Sequence, residues 1–114
     1  MIKIINEPIK LQDLKDTAKA TFGNLIKAVV DIENGKMALF GELHSDEEAM
    51  LIEKGSKQVN LWGINIYPLL TGEDRIEFDS MINLRPSQNN MSRGVDDPKI
   101  QKSIITIVNK LIEE

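Results

Sequence analysis

An Asn34-Gly35 pair lies between two runs in which apolar and polar residues alternate. Asparagine and glycine tolerate a positive φ, so this pair indicates a β-hairpin with a two-residue turn. Pairing Glu33 with Lys36 puts the apolar residues of both strands on one face, and a shift by one residue would expose all of them. The predicted buried face comprises Ile26, Ala28, Val30, Ile32, Met37, Leu39, Gly41 and Leu43.

A second hairpin is predicted between residues 58 and 85. Its runs extend from Gln58 to Pro68 and from Arg75 to Arg85, and Thr71-Gly72 marks the turn. Trp62 belongs to its apolar side. Matching the apolar residues of the two runs requires a bulge or an odd-length loop, so the register of this hairpin stays open.

Three segments show the apolar spacing and the end residues of helices. The first extends from Leu11 to Phe22, the second follows a capping box at Ser45 and stops at Gly55, and the third opens at Asp97-Pro98. The sequence therefore predicts an α+β fold, with an antiparallel sheet of about four strands in two hairpins and three helices packed on its apolar face. These patterns do not determine the strand order.

The composition is typical of one globular domain, residues 1–114, and excludes several chemistries. Hydrophobic residues make up 41% and charged residues 28% of the 114 residues. The absence of cysteine excludes a thiol nucleophile and a disulfide, and a single histidine excludes a multi-histidine zinc site. No cofactor is predicted.

Charge and hydropathy bear on partners and location. The net charge is -4 and the lysines are scattered, whereas binding to nucleic acid or to an anionic membrane requires a concentrated basic patch. We therefore expect neither nucleic acid nor a membrane as a partner. No segment approaches the ~18 apolar residues of a membrane span, so a cytoplasmic location is expected.

The chain contains the segments Phe22-Gly23, Val29-Val30-Asp31-Ile32, Gly41-Glu42-Leu43-His44, Leu61-Trp62-Gly63-Ile64-Asn65, Ile76 to Pro86, Ser92-Arg93 and Asp96-Asp97-Pro98. Together these segments cover nearly the whole chain and resemble a family of small microbial proteins known only as a domain of unknown function. Because no activity, substrate or catalytic residue is assigned to that family, the resemblance implies a stand-alone domain and transfers no site.

Two carboxylates, Glu77 and Asp79, lie on one face of a predicted strand, with their backbones ~6 to 7 Å apart. If Asn65, Tyr67 and Asn83 lie nearby, the pair could bind Mg²⁺ or Mn²⁺, or divide into a general acid and a general base. The simpler interpretation is a polar sheet face that is exposed to water.

All arginines fall between residues 75 and 93, and the last two bracket a polar loop, Pro86 to Ser92. A guanidinium presents a planar fork of donors that suits a carboxylate or a phosphate, and amide side chains add further donors. The alternative role of these arginines is to anchor the loop, through backbone carbonyls or through Asp96 and Asp97. The predicted ligand-binding residues are Arg85, Asn83, Arg93, Asn89, Asn90, Asn65 and Tyr67.

The single histidine, His44, lies between a strand and a helix. It could carry protons, or bind an anion together with the amides that follow it, and its alternative is a structural role at the helix entry. The order Asp31, Glu42, His44 is similar to that of a metal-dependent nuclease hairpin. The predicted register separates Asp31 from Glu42 by roughly 13 Å, which is too far for one shared metal ion.

These residues support three hypotheses of function. The leading one is a small binding or interaction module that uses the polar sheet face and the loop for an anionic or polar ligand or a protein partner. The second is a hydrolase that uses Glu77, Asp79 and His44 together with Asn83, with a divalent metal or by acid-base catalysis. The third is a homodimer formed through the polar face, and whether the protein is an enzyme stays open. The apolar residues that favour this homodimer are Val29, Ala38, Phe40 and Met81.

Overall fold

The computed structural model describes all 114 residues and centres on a five-stranded antiparallel sheet. The strands are β1 (Lys3–Ile5), β2 (Ile9–Lys10), β3 (Ile26–Asp31), β4 (Lys36–Leu39), β5 (Leu61–Ile66), β6 (Ile76–Glu77) and β7 (Ile112–Glu113). The helices are α1 (Leu11–Ala20), α2 (His44–Glu53) and α3 (Pro98–Leu111). The order in the sheet is β1-β4-β3-β5-β6, and β2 and β7 form a separate parallel pair. The predicted α+β class is confirmed, with one strand more than expected.

The helices cover both faces of the sheet. Leu14 of α1 and Val108 of α3 belong to the core cluster that contains Ala28 and Val30 of the predicted apolar face. α2 packs on the opposite face, where Leu51 joins a second cluster, so the prediction of three helices on the apolar face is wrong for α2. The remaining members of that second cluster are Val29, Ala38 and Leu61. None of the helices combines the length and the apolar character that crossing a bilayer requires.

The first hairpin forms where it was predicted, but its turn is wider. Asp31 pairs with Lys36, so the turn holds four residues and the predicted pairing of Glu33 with Lys36 is wrong by two positions. The Asp31 carboxylate causes the difference, because it accepts hydrogen bonds from the backbone amides of Glu33 and Asn34, both at 3.0 Å. A shift by two residues leaves the paired residues of both strands on their predicted faces.

The second hairpin is much shorter than predicted. β6 contributes only two pairs to the sheet, Asn65 with Glu77 and Ile66 with Ile76, and the predicted strand up to Arg85 does not form. Beyond β6 the side-chain amide of Asn83 bonds to β5 in place of a strand, donating to the Gly63 carbonyl and accepting from the Gly63 amide. One side chain thus satisfies the backbone groups that a neighbouring strand would otherwise pair.

Candidate functional site

A cleft of about 240 Å³, here called the polar cleft, opens where the start of α2 meets the sheet. β3 and β5 contribute a cross-strand pair to it, Lys27 and Asn65. The chain after β6 contributes the other charged residues. Its polar and charged lining residues include Lys27, His44, Ser45, Asn65, Asp79 and Arg93.

His44 is the first residue of α2, and its ring is fixed by the neighbouring strand. Its Nε2 lies 2.8 Å from the carbonyl oxygen of Ile64. A carbonyl only accepts, so Nε2 carries the hydrogen and Nδ1 of the neutral ring carries the lone pair. Burial, supported by the charges of Lys27 and Arg93, lowers the pKa of His44 despite the Ile64 bond and Asp79. The ring is therefore neutral at pH 7 and able to accept a proton or a hydrogen bond.

Two cations face one carboxylate in the polar cleft. Arg93 Nε lies 2.8 Å from Asp79 Oδ1, and both side chains are about half exposed. This single contact through Nε leaves the two terminal nitrogens of Arg93 free for another acceptor. Lys27 forms no salt bridge, and its ammonium nitrogen lies 5.1 Å from the centroid of the Phe22 ring. With His44 neutral, the polar cleft has a net positive charge.

Asn65 presents an unused hydrogen-bond acceptor in the polar cleft. Its Nδ2 donates to Glu77 Oε1 at 2.9 Å, and the Tyr67 hydroxyl donates to the same oxygen at 3.0 Å. Because a carboxylate oxygen can only accept, this contact fixes the orientation of the amide. Oδ1 of Asn65 is buried and has no hydrogen-bond partner within the chain. An unpartnered buried oxygen is costly, which favours a ligand with a donor at this position.

The backbone at the start of α2 adds donors to the same cleft. Asp46 and Glu47 donate to the carbonyl of Leu43, whereas no side chain caps the helix. The backbone amides of His44 and Ser45 therefore have no carbonyl four residues earlier to donate to, unlike amides inside a helix. Helix N-termini with such free amides attract anions.

Three of the predicted ligand-binding residues lie in the interior instead. Asn83 holds β5, as described above, and Asn90 donates to the carbonyls of Asn83 and Gly94 and accepts from the Asp96 amide. Their amide groups are thus already used to fix the chain between β6 and α3. Contact of Asn83 and Asn90 with a ligand therefore stays a prediction that no observed contact supports.

Arg85 is the third of these interior residues. Its side chain pairs with Glu48 of α2 at 3.0 Å, and the residue is only 8% exposed. The guanidinium carbon lies 5.0 Å from the centroid of the Trp62 ring. Arg85 therefore ties the loop to α2 and the core, with partners other than those considered from the sequence, and its role in anion binding stays a prediction.

The other predicted residues divide between the cleft and its surroundings. Arg93 and Asn65 line the polar cleft, and Tyr67 reaches Asn65 only through Glu77. Asn89 has a φ of 60° and ends the short helical turn after Arg85, which is a turn role. Sequence reasoning missed Lys27, because its proximity to Asn65 depends on the pairing of β3 with β5.

The candidate catalytic and metal residues are tied to partners within the chain. The Glu77 carboxylate accepts from Asn65 and Tyr67, and Asp79 pairs with Arg93. No group of three or more histidine, aspartate or glutamate side chains is arranged to hold a metal ion. Of the predicted hydrolase residues, the polar cleft brings together His44 and Asp79.

Two interpretations drawn from the sequence, the nuclease-like hairpin and the homodimer surface, concern residues that are buried in the structure. Asp31 is fully buried in its turn, where Ser56 donates to its carboxylate at 2.6 Å. Val29 and Ala38, which suggested a homodimer surface, are fully buried in the cluster that contains Leu51 of α2. Burial by α2 accounts for these apolar residues without a second copy of the chain.

Comparison with known proteins gives one match. Residues 3–111 match the model of a family described as a protein of unknown function, DUF5674. This confirms the resemblance to a family of unknown function. No curated protein and no solved structure matches the chain.

Proposed function

We propose that this chain, which belongs to the DUF5674 family of proteins of unknown function, binds a small anionic ligand in the polar cleft. One observation carries this proposal. Two cations line this small cleft together with the residues that carry two free backbone amides and an unpartnered amide oxygen. Charges that serve only to keep a surface soluble need not lie close together. A ligand with an anionic group and a hydrogen-bond donor would give each of these cations, amides and the amide oxygen a partner.

Arg93 is the residue best suited to the anionic group. Its Nε is held by Asp79, so the side chain is already oriented before a ligand arrives. The two terminal nitrogens can then form parallel bonds to two oxygens of a carboxylate or a phosphate. Lys27 and the amides at the start of α2 supply additional positive potential. The exposed Asp46 in the first turn of α2 opposes this potential, which favours a ligand of small net charge.

The remaining groups define what else the ligand carries. Oδ1 of Asn65 needs a donor, and Nδ1 of neutral His44 is a second acceptor. A hydroxyl or amino group next to the anionic group would supply such a donor. A volume of about 240 Å³ is below the usual range of roughly 300 to 1,000 Å³ for drug-sized ligands, so only a small polar group fits within this cleft.

Isothermal titration calorimetry with inorganic phosphate and with small hydroxy acids tests the proposal. Arg93→Ala should weaken binding about tenfold or more, since hydrogen bonds to charged groups contribute roughly 1.5 to 3 kcal/mol. Lys102→Ala is the matched control, because it removes one exposed cation from α3, outside the cleft. Equal affinities of the two variants would mean that any binding reflects overall charge, and no binding by the wild type would contradict the proposal.

A further inference from the structure

A second cleft of about 610 Å³, here called the apolar cleft, adjoins the polar cleft. The two clefts share Lys27 and Leu43. The apolar cleft lies where α1 ends and β3 begins, and Phe22, Ile26 and Phe40 form its apolar walls. Its volume falls within the roughly 300 to 1,000 Å³ of typical ligand sites.

The walls of the apolar cleft expose apolar surface that the core does not use. Phe22 is 45% exposed and Leu43 is 53% exposed, although the predicted patterns placed them on the buried sides of a helix and a strand. Phe40 has a φ of 71°, which is unfavourable for a bulky residue and turns the chain away from β4. Such strained positions cluster at binding sites.

The charged residues that line the two clefts indicate which cleft suits an anionic group and which suits an uncharged one. Lys27 is the only cation of the apolar cleft, and its ammonium lies near the Phe22 ring, at the junction with the polar cleft. Glu42 is the only acidic residue that lines the apolar cleft, and it would repel an anion placed there. An anionic group therefore belongs on the polar side of Lys27, and the aromatic walls remain for an uncharged body.

We propose that the ligand is an amphipathic organic anion, with its carboxylate or phosphate in the polar cleft and an apolar ring or short chain in the apolar cleft. Lys27 lies at the junction of the two parts. This inference rests on the proposed function, because it assigns the anionic group to the same cleft. It adds the chemical class of the ligand and a role for Phe22.

Calorimetry on the full chain with a matched ligand series tests the inference. Inorganic phosphate, phenyl phosphate, hexyl phosphate and hexanoate compare the head groups and the apolar bodies. We expect phenyl or hexyl phosphate to bind about tenfold tighter than phosphate, because the added carbon atoms leave water. Phe22→Ala should remove most of this gain and leave the affinity for phosphate within about twofold. Leu69→Ala, which removes a 70% exposed side chain outside both clefts, should change neither affinity.

The outcomes separate this inference from the proposed function. If all phosphates bind with equal affinity and Arg93→Ala weakens them all, the anion site stands and the amphipathic ligand is wrong. If phenyl or hexyl phosphate still binds Phe22→Ala about tenfold tighter than phosphate does, the apolar body binds elsewhere and the inference is wrong. If none of the four compounds binds, both proposals fail. Shifts of the Phe22 and Phe40 amide resonances on adding phenyl phosphate, without such shifts on adding phosphate, would support the inference independently.

Discussion

Glu47 is an acidic side chain in the interior, on the face of α2 that packs against the sheet. Its Oε2 accepts a hydrogen bond from the Gly41 amide at 3.0 Å, and its Oε1 has no partner. Burial raises the pKa of Glu47 from 4.5 to about 9, although the Gly41 bond opposes this shift. The side chain is therefore a neutral acid at pH 7.

This raised pKa predicts that the folded chain loses stability as the pH rises. Between the unfolded pKa of 4.5 and the folded value of about 9, the unfolded chain releases a proton that the folded chain keeps. The free energy of unfolding should then fall by at most about 1.4 kcal/mol per pH unit. Glu47→Gln should remove this slope, which urea denaturation across the interval measures.

Glu53→Gln is the control for this measurement, because Glu53 is an exposed residue of the same helix. It should keep the wild-type slope, since Glu47 is unchanged in this variant. Parallel profiles for wild type and Glu47→Gln would show that Glu47 ionises normally in the folded protein.

Whole elements were predicted well where neighbouring residues determine them. The spacing of apolar residues located α3, and its Asp97 cap forms as expected, accepting from the Lys99 amide. The capping box predicted at Ser45 does not form, because α2 begins at His44 without a side-chain cap. The other errors lie where a polar side chain replaces the expected backbone pairing. Asp31 widens the first turn by accepting from the Glu33 and Asn34 amides, and Asn83 replaces a strand beside β5. Alternation reports which face a residue occupies, but it does not report such side-chain hydrogen bonds.

The first hairpin should therefore depend strongly on Asp31. Burial alone would raise the pKa of Asp31, but hydrogen bonds from Ser56, Asn34 and Glu33 outweigh it and lower the pKa. Asp31→Ala should reduce the free energy of unfolding by about 2 to 3 kcal/mol, because it leaves buried donors without an acceptor. Asp74→Ala, at an exposed position, should change it by less than about 0.5 kcal/mol. Similar urea midpoints for the two variants would contradict this role of Asp31.

Across the whole molecule, asparagine side chains either fix the chain or face the polar cleft. Asn83 and Asn90 fix the chain between β6 and α3, whereas Asn65 faces the polar cleft. Sequence reasoning identified His44, Asp79, Asn65 and Arg93 as candidates, but it divided them among different hypotheses. It could not bring all four into one site, or separate them from the interior amides, because that grouping requires the strand order and the path of the chain after β6.

The partly buried His44 and the buried Glu47 should together determine how the stability of the whole molecule depends on pH. Burial lowers the pKa of His44 below 6.5, so below pH 6.5 the unfolded chain takes up a proton that the folded chain does not. Stability from His44 is thus present above pH 6.5 and lost as the pH falls through the folded pKa. The contribution of Glu47 to stability changes in the opposite direction, since it increases as the pH falls below 6.5.

The two slopes should offset each other below pH 6.5, so we expect wild-type stability to rise from pH 9 to about 6.5 and then level off. His44→Gln can still donate to the Ile64 carbonyl but has no titrating ring, so its stability should keep rising below pH 6.5. Urea denaturation of both proteins across this range measures the difference. The ring of the single histidine also gives its own proton resonance, whose titration midpoint should lie below 6.5. A midpoint at or above that value, with identical profiles for the two proteins, would show that the ring is not held neutral by its burial beside β5.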